Sequence, residues 1–197
     1  IYDISEDNLN FKEKAGKYID FLNANAYDKE RDVRTNIAGE FQKSNLAAAL
    51  QTAELICGRL DEDKIYEALS QIRISGRMEE IAPGIIVDVS HNIQGMQGFV
   101  QTVEANYHGM KKRILFAASH QNEEEYMKNI LKTIPESEAF YTVGIHKRRI
   151  NEAEFQDAFR KMIDRNQETT VCFVVGSFYL AGMAKEFINQ EEENVRL

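Results

Sequence analysis

The sequence is poor in the residues that stabilise secreted proteins. Its 197 residues include no tryptophan, two prolines and two cysteines. Both cysteines, Cys57 and Cys172, lie inside apolar segments, so we interpret them as small core side chains in a reducing compartment. No apolar run approaches the roughly 18 residues of a membrane span, and the first residues show no signal-peptide pattern. These absences predict a cytoplasmic protein with no membrane partner.

Positive charge is also scarce. Lys and Arg number 24 against 32 Asp and Glu, which gives a formal net charge of −8. A nucleic-acid partner held through its phosphates is therefore disfavoured. His120 has no Cys or His at zinc-ligand spacing, so no metal site is predicted within the chain.

Several catalytic motifs are missing as well. The chain contains no Gly-rich loop ending in Lys and Ser/Thr, and no Gly-x-Gly-x-x-Gly fingerprint. It also has no nucleophile elbow and no Cys-His pattern, so covalent catalysis is not predicted.

From residue 77 onward the chain alternates between strands and helices. Apolar runs at 85–89, 114–118, 139–143 and 171–175 are each followed by a segment with helical periodicity, at 94–107, 123–132, 152–165 and 180–189. Such alternation favours right-handed crossovers. It predicts an α/β fold with a Rossmann-like, mostly parallel sheet and flanking helices.

Residues 1–75 do not show this regular alternation of strands and helices. Two short strands are predicted at 17–21 and 32–38, and two helices at 45–57 and 61–72. These elements are too few to bury a core of their own, and the first residue is Ile rather than Met. We therefore expect residues 1–75 to be the end of a larger domain and 76–197 to be a complete one, in a chain cut from a longer protein.

Two polar stretches flank these helices. The stretch 39–45 (GEFQKSN) precedes the first helix, where polar groups suit an anion or a base edge, although Ser44 or Asn45 as a helix cap is an equally local explanation. Arg77 follows Gly76 at the expected domain junction. Its guanidinium fork matches a phosphate, and an interdomain salt bridge is the alternative.

Two further stretches end predicted strands. Asp88, His91 and Asn92 follow the first apolar run of the sheet, where a carboxylate can bind a ribose and an imidazole can bind a carboxylate or phosphate. The alternative is that Asp88 and Asn92 only cap the next helix. Gly176 and Ser177 follow the last run, where Gly allows close backbone approach and Ser offers a hydroxyl.

In order and spacing, these stretches resemble the carboxyl-terminal part of the folylpolyglutamate synthases, which are often bifunctional with dihydrofolate synthase and belong with the Mur ligases. The matching text is GEFQKSNLAAAL at 39–50, GRME at 76–79, DVSHN at 88–92 and GSFY at 176–179. The resemblance spans most of residues 39–188. Two departures are Ile93, where the family often has Pro, and Ser119-His120-Gln121, which lacks the family's Lys.

The resemblance implies an ATP-dependent ligase that adds L-glutamate to folate through an acyl phosphate. Residues 1–75 would be the remnant of the central ATPase domain, and 76–197 the Mur-type carboxyl-terminal domain. The P-loop and the magnesium ligands would lie upstream, so the chain alone is expected to be an inactive monomer.

The resemblance also assigns residues. Asn45 would meet the adenine of ATP, Arg77 its phosphates and Asp88 its ribose. His91, the catalytic candidate, and Ser177 would line the glutamate side of the cleft. Asp88→Ala is expected to weaken ATP binding with the fold intact. The alternatives are a Mur-type ligase acting on a peptidoglycan precursor and a non-catalytic nucleotide-binding module.

Overall fold

The computed structural model describes residues 40–72, 74–118, 121–146, 149–163 and 169–195. The chain divides into two compact units, 1–73 and 74–197. The strands predicted at 17–21 and 32–38 lie outside the described residues. Within the part described, no helix is both long and apolar enough to cross a membrane.

The described part of the first unit is a pair of helices, α1 (Glu40–Cys57) and α2 (Glu62–Gln71). Gly58 follows α1 with a φ of 81°, and Asp61 caps α2 by accepting two backbone N–H groups. Both signals were readable in the sequence, because Gly tolerates positive φ and Asp is a strong N-cap.

The beginning of α1 differs from the prediction. The helix already includes Glu40, so Ser44 and Asn45 lie within it and neither is its N-cap. Glu, Gln, Lys and the following Ala-rich run are all good helix formers, and their combined propensity extends the helix past the expected start. The predicted start of this helix at residue 45 is therefore wrong.

The second unit contains the predicted strands and helices, with two additions. Its strands are β1 (Glu79–Ala82), β2 (Ile85–Asp88), β3 (Lys111–Phe116), β4 (Ser137–Thr142), β5 (Ile145–His146), β6 (Arg149–Ile150) and β7 (Thr170–Val175). Its α-helices are α3 (Ile93–Asn106), α4 (Glu124–Leu131), α5 (Glu152–Ile163) and α6 (Phe178–Val195). The sequence did not predict β1 or the two-stranded antiparallel sheet formed by β5 and β6.

Five strands form one mixed, mostly parallel sheet in the order β1-β2-β7-β3-β4. Only β1 runs antiparallel, paired with β2 at the sheet edge. The last strand of the chain, β7, lies between β2 and β3 and pairs with both in parallel. All six of its residues are buried, as expected for a central strand covered on both faces.

Helices cover both faces of the sheet. One face packs α5 and α6 around Phe155, Phe159 and Leu180, and the other packs α3 and α4 around Phe99 and Met127. The α/β class and the mostly parallel sheet predicted from the alternating pattern are confirmed.

Two cations are buried where β3 begins. Lys112 is 1% exposed and its Nζ lies 2.6 Å from Glu136 Oε2, while Arg113 Nη2 lies 3.0 Å from Glu138 Oε2. The hydrogen bond from Lys112 to Glu136 and that from Arg113 to Glu138 lower the pKa of each carboxyl below its usual range. These pairs fasten β3 to the segment that begins β4, at the end of the sheet opposite the predicted site.

Candidate functional site

The parallel register brings two of the predicted stretches together. Asp88 at the end of β2 pairs with Val175 at the end of β7, and Val175 pairs in turn with Phe116 of β3. The turns that follow β2 and β7 therefore emerge side by side at the carboxyl edge of the sheet, where open α/β folds bind their ligands. Asp88 and Ser177 become neighbours in topology although 89 positions separate them in the sequence.

Asp88 is a buried carboxylate, 4% exposed, that binds two backbone N–H groups. Oδ1 accepts from Ser90 N at 2.8 Å, and Oδ2 accepts from Met78 N at 3.0 Å. The helix cap is Asn92 instead, whose Oδ1 accepts from Gly95 N at 2.7 Å. The capping hypothesis is therefore correct for Asn92 and wrong for Asp88, which braces the two turns around it.

Arg77 lies on a tightly held loop. Gly76 has a φ of 72° and Met78 a φ of 45°. A Cβ at Gly76 would lie 2.7 Å from Val89 Cγ1, so only glycine fits there. For a residue such as Met78 the left-handed region costs about 1–2 kcal/mol, which the hydrogen bond to Asp88 helps to offset.

Backbone hydrogen bonds complete this loop. Val89 N donates to Gly76 O at 2.8 Å, and Arg77 N donates to Ile74 O at 3.1 Å. The side chain of Arg77 is part-exposed, and its guanidinium forms no ion pair with any other described residue. The loop thus presents a positively charged side chain from a constrained backbone, an arrangement that suits an anion.

His91 is part-exposed, and its tautomer can be inferred. Nδ1 lies 3.0 Å from the Val89 carbonyl oxygen, which can only accept, so Nδ1 carries the proton. In the neutral imidazole Nε2 is then an acceptor. The ring also packs against Phe178, with centroids 5.6 Å apart, so His91 contacts the first residue of α6 directly.

Ser177 is fully buried and begins α6. Its Oγ accepts from Tyr179 N at 3.1 Å, and its carbonyl accepts from Ala181 N at 3.1 Å. Gly176 before it has a φ of 110°, and a Cβ there would lie 2.6 Å from both Ala117 O and Phe116 Cε2. The Gly-Ser pair thus fits a turn that passes close to the end of β3.

Asn45 belongs to the first unit and is exposed on α1, where its Nδ2 donates to Gln42 Oε1 at 3.4 Å. Its predicted contact with adenine stays a prediction. No three His, Cys, Asp or Glu side chains cluster in the described part of the chain.

Three side chains near these turns were missed from the sequence. Ser90 is 2% exposed, and its hydroxyl has no hydrogen-bond partner among the described residues. Lys185 on α6 pairs with Glu79, and it also donates to Ser75 Oγ at 2.6 Å. No sequence signal could have found the Lys185 contacts, because they join positions more than a hundred residues apart.

The chain is similar to several proteins of solved structure. No family model and no curated protein matches the sequence. Among solved structures, Lactobacillus casei folylpolyglutamate synthetase matches at 20% identity with a TM-score of 0.60, covering 77% of this chain and 38% of that chain. Escherichia coli FolC in complex with DHPP and ADP matches at 16% identity with a TM-score of 0.63, covering 77% of this chain and 40% of that one.

A further match lies outside the folate enzymes. A pseudomurein peptide ligase type C from Methanothermus fervidus matches at 19% identity with a TM-score of 0.58, covering 77% of this chain and 36% of that chain. The chain thus spans about two fifths of the length of the structures that it matches. Its fold is that of the carboxyl-terminal domain of the folylpolyglutamate synthases and other Mur-type ligases.

Proposed function

We propose that the protein is an ATP-dependent amide ligase that adds L-glutamate to a tetrahydrofolate substrate, with this chain supplying the carboxyl-terminal part. The single observation that carries the proposal is the adjacency of the turns after β2 and β7, which brings the DVSHN and GSFY motifs to one edge of the sheet. The shared fold supports it, since one matching structure is an FPGS complex with AMPPCP and folate.

In this proposal the Arg77 loop and Asp88 serve the nucleotide. The guanidinium of Arg77 binds the ATP phosphates, and Asp88 accepts from the ribose hydroxyls with lone pairs that its backbone hydrogen bonds leave free. The hydrogen bond from Met78 N to Asp88 Oδ2 connects the Arg77 loop to Asp88, because it fixes the residue that follows Arg77. Asn45 meets the adenine.

His91 and Ser177 serve the glutamate. The amine of glutamate attacks the acyl carbon of the acyl phosphate, so a C–N bond forms, the bond from that carbon to the phosphate oxygen breaks, and phosphate leaves with the proton that the new amide nitrogen gives up. Glutamate arrives as an ammonium ion and must lose a proton to become a nucleophile. Nε2 of neutral His91 is an acceptor on a part-exposed side chain, and we assign it this proton. Ser177 directly precedes Phe178, whose ring packs against His91, and we assign its hydroxyl to a glutamate carboxylate.

In this proposal, ATP hydrolysis and Mg²⁺ binding are carried out by residues other than the five assigned above. Magnesium would supply positive charge that stabilises the ATP phosphates, and the described residues contain no group of three or more His, Cys, Asp or Glu side chains that could hold it. The sequence also contains no Gly-rich loop with Lys and Ser/Thr. We therefore propose that the 197 residues alone neither hydrolyse ATP nor ligate glutamate.

The test compares the purified 197-residue chain with the product of the complete reading frame that contains it. Phosphate release is followed with ATP, glutamate and tetrahydrofolate. We expect folate-dependent release from the complete product and none from the chain alone. Folate-dependent ATP consumption by the chain alone would overturn the proposal of inactivity, and no folate dependence in the complete product would overturn the substrate assignment.

Site variants then test the residue roles. His91→Gln should lower kcat and Ser177→Ala should raise the KM for glutamate, both with little change in the KM for ATP, whereas Arg77→Ala should raise the KM for ATP. Asp157→Ala is the control, because this residue is exposed on α5 and, among the described residues, pairs with Lys161 one turn away. If every variant raised the KM for ATP and the KM for glutamate to the same extent, the assignment of Arg77 to ATP and of His91 and Ser177 to glutamate would be wrong.

A Mur-type ligase acting on a cell-wall precursor is the second candidate, favoured by the match to the pseudomurein peptide ligase. A muramoyl peptide replaces tetrahydrofolate in the same phosphate-release assay, and activity with the peptide alone would select this candidate. A non-catalytic nucleotide-binding module is the remaining alternative. It predicts ATP binding by the complete product without turnover on either substrate.

A further inference from the structure

We infer that Lys185 and Glu79 are positioning residues that hold the Arg77 loop against helix α6. This inference rests on the proposed function for the role of Arg77 at the ATP phosphates, but the mechanical link itself is independent of that role. Lys185 lies on α6, two turns beyond Ser177, so the pair joins the loop assigned to ATP with the helix assigned to glutamate.

The contacts hold the loop at three points. Lys185 Nζ lies 2.5 Å from Glu79 Oε2 and donates to Ser75 Oγ at 2.6 Å. Glu79 Oε2 also accepts the backbone N–H of Gly76 at 2.5 Å. One ammonium and one carboxylate therefore constrain residues on both sides of Arg77, while Asp88 holds Met78 from the sheet.

The environment strengthens this pair beyond an ordinary surface ion pair. The side chains of Lys185 and Glu79 are 29% and 33% exposed. Burial raises the pKa of Glu79, but the hydrogen bonds from Lys185 and Gly76 and the charge of Lys185 outweigh it, so the pKa lies below its usual value. Glu79 therefore stays ionised and accepting across the neutral range.

The positive charge of Lys185 also affects Arg77. Glu79 is two residues from Arg77, and its carboxylate is neutralised by Lys185 in the structure. Without the ammonium, Glu79 becomes an uncompensated anion on the same loop, available to pair with the guanidinium of Arg77. The substitution Lys185→Met should therefore both loosen the loop and draw Arg77 away from an incoming phosphate.

The experiment uses the complete reading-frame product and three variants. Lys185→Met removes the charge at similar length, and Lys185→Arg restores it. Lys161→Met is the matched control, because Lys161 forms an exposed pair with Asp157 within α5. Amide hydrogen exchange is measured on the peptide that covers residues 75–79, together with KM for ATP and for glutamate and the melting temperature.

For Lys185→Met we expect exchange in that peptide to rise about tenfold and the KM for ATP to rise at least fivefold, with the KM for glutamate within twofold. Lys185→Arg should recover most of both effects, and Lys161→Met should change neither. Unaltered exchange in the 75–79 peptide, or a uniform rise throughout residues 74–197, would overturn the positioning role. A selective rise in exchange with an unchanged KM for ATP would keep the link and refute Arg77 as the phosphate ligand.

Discussion

Asp88 accepts the backbone N–H of Met78, ten residues earlier in the chain, at 3.0 Å. Its second oxygen accepts Ser90 N at 2.8 Å, so one buried carboxylate joins the loop before the sheet to the turn after β2. A single side chain thereby sets the positions of both Arg77 and His91. The residue expected to touch a ribose also determines where its neighbours lie.

Asp88→Ala should therefore cost stability as well as ligand affinity, in contrast to the expectation from the sequence. The substitution leaves two backbone N–H groups without their acceptor, and each such buried donor costs about 1–3 kcal/mol. We expect the free energy of unfolding, measured in urea, to fall by about 2–4 kcal/mol. Asp157→Ala, which removes an exposed carboxylate, should cost less than about 0.5 kcal/mol. A loss at Asp88 no larger than that of the control would contradict the bracing role.

Two glycines on either side of Ser177 should respond in opposite directions to alanine. At Gly176 the φ of 110° and a contact of 2.6 Å to Ala117 O leave no room for a Cβ, so Gly176→Ala should cost about 3 kcal/mol or more. Gly182 lies inside α6 with nothing within 4 Å of an added Cβ. Gly182→Ala should gain about 0.5–1 kcal/mol. Thermal unfolding of both variants measures the contrast, and a stable Gly176→Ala protein would refute the close approach.

The two cysteines should differ in reactivity. Cys57 is exposed, whereas Cys172 is buried in the central strand β7. Burial raises the pKa of Cys172 to about 11, with a smaller opposing effect from Arg113. Since the thiolate is the reactive form, we expect Ellman's reagent to titrate one thiol per native chain and two in denaturant. Cys57→Ser should abolish the native reaction, and a remaining native thiol would show that Cys172 is accessible.

The Glu79–Lys185 pair should make stability depend on pH in acid. The pKa of Glu79 in the folded protein is below its ordinary value of 4.5. Its contribution is therefore complete above pH 4.5 and is lost as the pH falls through the folded pKa. Unfolding in urea at pH 7 and pH 3 should show Glu79→Gln to be more destabilising at pH 7 than at pH 3. An equal effect at both values would mean that the carboxylate charge is not involved.

Much of the secondary structure was predictable because local patterns determine it. The buried runs of Ile and Val identified β2 and β7, and the apolar residues at helical spacing identified α3 and α5. Gly58 and Asp61 marked helix boundaries through their own backbone and side-chain chemistry. The start of α1 was mispredicted, since helix propensity summed over the Ala-rich run outweighed a local capping signal.

The order of the strands in the sheet could be seen only in the tertiary structure. Strand β7 lies between β2 and β3, so the last strand of the chain occupies the centre of the sheet. No local pattern encodes this insertion, because it depends on which strands bury the most apolar surface on both faces. The strand β1 and its antiparallel pairing were missed for a related reason, as none of its four residues is buried.

The sequence by itself determined the α/β class, the mostly parallel sheet and the types of polar residue at the strand ends. The tertiary structure decided which of those residues work together. It made Asp88 a brace for the Arg77 loop, left the capping of α3 to Asn92, and joined Lys185 to Glu79 across more than a hundred positions. Hydrogen bonds and ion pairs depend on distances of a few ångströms, and for residues far apart in the chain only the packed fold determines those distances.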